Sequence, residues 1–91
     1  NILYRNLKIL NQNKYDFIFY VAGVDIHFED RLGKLKITDT GVNKRDQVVI
    51  ENFNRRSIPL CGVLGGGYNK SFEKLIELHS MLHKNCAEII K

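Results

Sequence analysis

The sequence predicts an α/β fold: the βαβα portion of a parallel sheet, with two buried strands joined through a helix. Three observations carry this. Phe17-Ile18-Phe19-Tyr20-Val21-Ala22 is a continuous apolar run of aromatic and β-branched residues, and Ile58-Pro59-Leu60-Cys61-Gly62-Val63-Leu64 is a second. Runs of this kind suit strands covered on both faces, as in parallel sheets. Between them, from about residue 39 to 55, apolar residues recur at helical spacing, so the crossover is a right-handed βαβ unit.

Each element follows from its residues. At the start, Ile2, Leu3, Leu7 and Leu10 lie roughly one helical turn apart, and Asn11-Gln12-Asn13 ends the pattern. Gly23 closes the first strand. Residues 24–37 show no sustained period and read as an ordered loop. Thr38 is a candidate N-cap for the crossover helix, whose stripe is Val42, Val49 and Phe53 with Asp46 in the same row. Lys44, Arg45 and Glu51 fall mostly outside that stripe. Pro59 fits only at the beginning of the second strand. Gly65-Gly66-Gly67-Tyr68 follows that strand at once, and Asn69 or Ser71 can cap a last helix. Its predicted stripe is Phe72, Leu75, Ile76, His79, Leu82, His83, Cys86 and Ile90.

Composition narrows the class. With 91 residues, 44% hydrophobic and 26% charged, the chain has the balance of a globular protein and not of a disordered tail or a collagen-like repeat. The net charge of +4 comes from basic residues scattered along the whole chain, without the clustering and aromatic interleaving of a nucleic-acid face. Cys61 and Cys86 have no CxxC spacing and read as buried thiols of a reducing compartment. No apolar run approaches the ~20 residues of a membrane span, and the protein is expected to be cytoplasmic. Two strands alone cannot cover both faces of a parallel sheet, and the only methionine is Met81. Both lead to the expectation that residues 1–91 are the C-terminal part of a larger α/β domain.

In such sheets ligands bind beyond the carboxyl ends of the strands. Two segments occupy that position, residues 23–33 and residues 65–68. The glycine run has three readings: a tight turn with positive φ angles, a phosphate cradle, or small residues that let a backbone approach a ligand while Tyr68 presents its hydroxyl. The cradle fits poorly, because Tyr68 and Asn69 separate Gly67 from Lys70-Ser71 and G-x-G-x-x-G lacks its last glycine. Three patterns look metal-binding: Asp25-Ile26-His27, the acid Asp30, and His79 with His83 four residues on. The last pair has Ser80 where a zincin helix carries its general-base glutamate, lies within an apolar stripe, and reads as core or helix-packing histidines.

Taken together, Tyr20-Val21-Ala22-Gly23-Val24-Asp25, then Asp30-Arg31-Leu32-Gly33-Lys34-Leu35, then Thr38 and Gly41, then Leu64-Gly65-Gly66-Gly67-Tyr68 resemble the zinc-dependent histone deacetylase family. The resemblance covers the chain from about residue 16 into the last helix, and is nearest to bacterial acetoin-utilisation and class IV-like members. It implies the arginase–deacetylase fold, with Zn2+ as cofactor. It further implies that Asp30 is a zinc ligand and that Tyr68 donates a hydrogen bond to the substrate carbonyl. Ile37 would line the acyl-lysine tunnel, and Gly66 would border the site with its backbone. Asp25 matches a supporting acid, which makes Asp25-Ile26-His27 a decoy. Glu29 stands where many members have glycine.

The implied reaction is hydrolysis of the amide of acetyl- or acyl-lysine, or of a small acetylated amine. A catalytic zinc takes three protein ligands, and the resemblance places the other two, with the general-base histidines, upstream. The expected partners are therefore the substrate and the remaining N-terminal part of the domain, and the chain alone is expected to be silent. The rival is a nucleotide- or phosphate-binding α/β module built on Gly65-Gly66-Gly67.

Overall fold

The computed structural model describes residues 2–27, 29 and 37–90. The chain runs α1 (Ile2–Leu10), β1 (Ile18–Ala22), α2 (Asp39–Arg55), β2 (Leu60–Leu64) and α3 (Phe72–Ile89). The strands pair in parallel, with Ile18 opposite Leu60 and Ala22 opposite Leu64. The chain is thus α/β with a small parallel sheet and three helices, as expected for a piece of a larger sheet. Pro59 lies just before β2, where its carbonyl accepts the Ile18 N–H at 2.9 Å.

The ends of α2 are set locally. Thr38 is the N-cap, its hydroxyl accepting the Gly41 N–H at 3.1 Å. At the other end Ser57 N–H bonds to Asn54 O and Ile58 N–H to Phe53 O, the paired bonds of a Schellman stop. Ile58 packs against the cluster that holds Phe53, completing that motif. Ser57 has a φ of 57°, a left-handed conformation usually left to glycine.

Helices cover one face of the sheet. Ile18 and Tyr20 pack with Leu7, Val49 and Phe53, and Ala22 packs with Ile50 and Leu82. Gly62 lies against Leu82, whose Cδ1 would be 2.9 Å from a Cβ placed there. The opposite face is open among the described residues: Phe19 is 73% exposed and Val21 65%. Within the described residues the strands are thus covered on one face, as expected if two strands alone cannot cover both. An apolar run reports what a strand can bury, and among the described residues helices lie on one side only. Phe17 and Phe19 share the open face, their ring centroids 4.9 Å apart.

The crossover stripe is as read, with Val42, Asp46, Val49 and Phe53 all buried. Asp46 is tolerated because its Oδ1 accepts bonds from Tyr20 Oη at 2.5 Å and from Arg45 at 3.0 and 3.1 Å. Burial and the Asp46 bond together hold the Tyr20 hydroxyl well above its ordinary pKa. The α3 stripe needs correction. Leu78, Leu82 and Asn85 form its buried side, whereas Phe72, Ile76 and His83 are exposed. This helix is apolar on more than one face, and contact with α2 selects the one that contains Leu78.

Ser57→Gly removes the strain of a left-handed non-glycine residue. It should raise unfolding stability by about 1 kcal/mol in urea titration; a loss of stability would contradict this account of the stop.

Candidate functional site at the strand ends

Parallel pairing continues past the last residues of β1 and β2 and brings their loops together. The Val24 N–H donates to Gly66 O at 2.8 Å. A Cβ on Gly65 would lie 2.9 Å from Gly23 Cα, so the two chains touch backbone to backbone. One on Gly67 would lie 2.6 Å from Val24 Cγ2 and 2.8 Å from Leu75 Cδ1. No described glycine has a positive φ. The run is therefore needed for close approach, and the tight-turn reading with positive φ angles is corrected.

Gly66 differs from its neighbours. A Cβ there would meet Asp25 Oδ2 at 3.4 Å and the Tyr68 ring at 3.7 Å, which are ordinary contacts. The Asp25 carboxylate, the Gly66 backbone and the Tyr68 ring thus converge at the strand ends. Tyr68 is half exposed, so its ring borders solvent.

Asp30 lies outside the described residues. Ile37 is half buried against the Val24, Val42 and Leu78 cluster, and its N–H bonds to Ile26 O at 3.0 Å. Asp25 and His27 have different surroundings. Asp25 is exposed over the glycines, whereas His27 is fully buried, accepting the Glu29 N–H at Nδ1 and bonding through Nε2 to Asp39. Among the described residues no group of three or more His, Cys, Asp or Glu side chains could hold a metal ion. The described part of the chain does not by itself fit a zinc site.

Three features were not read from the sequence. Arg45, placed outside the helix stripe, folds over the Tyr20 ring and donates from Nη1 to Gly23 O at 2.5 Å. His27 reaches Asp39, and Asp39 reaches Lys74 in the first turn of α3. His79 is half buried beside Gly67, its Nδ1 lacking a hydrogen-bond partner among the described residues. Burial, with His83 nearby, holds the His79 imidazole below its ordinary pKa. The first two join residues 12 to 35 positions apart, and helical periodicity contains no signal for them. Asp46 within an apolar row was the one visible clue to a buried polar network.

The contacts separate the glycines energetically. Gly65→Ala forces a Cβ into backbone that cannot yield and should cost about 1–3 kcal/mol in thermal unfolding. Gly66→Ala should cost clearly less; equal losses would refute the close-approach account.

A histone deacetylase domain model matches residues 3–82. An uncharacterised protein of the cyanobacterium Picosynechococcus is 42% identical over 81 residues, 89% of this chain and 27% of that protein. Histone deacetylase 2 of Arabidopsis thaliana is 37% identical over 71 residues, 77% of this chain and 18% of the relative. The chain therefore spans about a quarter or less of the length of these relatives. The nucleotide-binding alternative gains no support from these matches. A deacetylase domain model that covers 80 of the 91 residues, over the same loops that converge at the strand ends, places this chain in the histone deacetylase family.

Proposed function

We propose that the chain is the C-terminal part of a zinc-dependent deacetylase that hydrolyses the amide of acetyl- or acyl-lysine, or of a small acetylated amine. The observation that carries this reading is the seating of Tyr68 beside Gly66 and Asp25 at the strand ends of a deacetylase-family chain. In amide hydrolysis water adds to the carbonyl carbon and the carbonyl oxygen becomes an oxyanion. The Tyr68 hydroxyl donates a hydrogen bond to that oxygen, stabilising charge that develops only in the transition state. Collapse of the adduct then breaks the C–N bond, and the departing amine takes up a proton. The Gly66 backbone borders the acyl group and Ile37 the channel that admits it.

Zinc belongs to the complete domain in this reading, and Asp30 is this chain's ligand to it. The other ligands and the general base come from the remaining part of the domain. The relatives' greater length supports this, as do the open sheet face of Phe17, Phe19 and Val21 and the exposed Phe72 and Ile76 on α3. That remaining part is the partner proposed to cover both surfaces. No helix among the described residues is long and apolar enough to cross a membrane, and a cytoplasmic location is part of the proposal.

In the complete protein, Tyr68→Phe should lower kcat on an acetyl-lysine reporter about 10²–10³-fold with metal content unchanged. Asp30→Ala should lose zinc, as read by elemental analysis. Full zinc occupancy in Asp30→Ala would remove the ligand assignment. Chelator-sensitive hydrolysis by the isolated 91-residue chain would overturn its dependence on the rest of the domain.

A further inference from the structure

We propose that His27, Asp39 and Lys74 are positioning residues that fix where Tyr68 stands relative to the loop after β1. The proposal rests on the reading of Tyr68 given above and goes beyond it.

His27 is fully buried, and its ring is oriented by its partners. Nδ1 accepts the Glu29 N–H at 3.2 Å, so Nε2 carries the proton and donates it to Asp39 Oδ1. Asp39 Oδ2 accepts in turn from Lys74 Nζ. One carboxylate at the start of α2 thus holds the loop after β1 on one oxygen and the first turn of α3 on the other.

Lys74 is also the residue whose backbone N–H is capped by Ser71 Oγ, at 3.2 Å. The Ser71 N–H bonds to Asn69 Oδ1 at 2.9 Å, which leads the chain back to Tyr68. On the other side of Tyr68, Gly66 O is held by Val24 N–H. Tyr68 therefore stands on a short span pinned at both ends, and both pins lead to the segment between Val24 and Glu29. The two charges sustain each other. Lys74 holds the Asp39 carboxyl below its ordinary pKa, and Asp39 raises that of Lys74. A part-exposed ion pair of this kind adds little to stability. Its directed hydrogen bonds do fix a distance, and a catalytic group displaced by about 1 Å can lose much of its effect.

The test uses the complete active protein, with Lys74 as the variant site because its removal buries no unpaired charge. Lys74→Met should lower kcat about tenfold or more, leaving KM and zinc content near those of the parent. Lys74→Arg, which keeps the charge and the donor, should recover most of the loss. Combined with Tyr68→Phe, Lys74→Met should add little further loss, because its effect passes through the Tyr68 hydroxyl. In the metal-free protein, the NMR shift of the Tyr68 ring should move in Lys74→Met and return in Lys74→Arg. Unchanged kcat and ring shift in Lys74→Met, or losses that add in full with Tyr68→Phe, would overturn the positioning role alone. Full turnover in Tyr68→Phe would instead overturn the reading of Tyr68, and the positioning role with it.

Discussion

The crossover helix α2 is the wall against which the other elements are placed. Each of the three apolar clusters among the described residues includes at least one of its residues: Val49 and Phe53 with Leu7, Ile50 with Ala22 and Leu82, and Val42 with Val24 and Leu78. The first cluster seats α1 and the beginning of the sheet, the second joins the sheet to α3, and the third seats the loop after β1. Two parallel strands have little stability alone, so their pairing depends on this shared support. Val42, near the N-terminus of α2, packs with Val24 just past β1, and Phe53, near its C-terminus, packs in the cluster of Ile18 at the beginning of β1, so the helix runs antiparallel to the strands. The turn nearest its N-terminus therefore lies at the carboxyl ends of β1 and β2, where the candidate site is.

Much of this architecture was legible because it is local. Thr38 is a cap by its own chemistry, the Val42, Asp46, Val49 and Phe53 row is a helical period, and Gly23 and Gly65 end apolar runs. What the runs could not show is how many faces are covered, since that depends on residues elsewhere in the domain. The exposed Phe19 and Val21 illustrate this, as do Phe72 and Ile76 on α3. For α3 the periodicity admitted more than one buried side. Leu78 belongs to the side that meets α2, a fact of packing and not of spacing.

The candidate site was legible in a different way. Convergence of the two loops follows from parallel pairing, and the Val24–Gly66 bond realises it. The glycines were visible, but not what requires them. Close backbone approach and a left-handed turn call for the same residue type, and only the Gly65–Gly23 contact and the absence of positive φ separate them. The residues made Asp30 and Tyr68 candidates, and the family resemblance implied their roles. Their spacing alone would not have distinguished them from a surface acid and a surface tyrosine.

Apolar burial and directed polar bonds divide the labour between core and site. The clusters on α2 bring the elements together but leave some freedom to slide, because apolar contact has no direction. At the strand ends that freedom is removed by polar groups that α2 itself carries. Arg45 is held by Asp46 and reaches the Gly23 carbonyl, which fixes the end of β1 to the middle of the helix. Asp39 joins the next loop to α3. Both tethers start from the helix that carries the core, so the core's geometry is passed to the site through hydrogen bonds of fixed direction. This arrangement explains why a charged arginine and a buried histidine occur beside clusters that apolar residues could have filled. They specify where the loops stand, which packing alone does not.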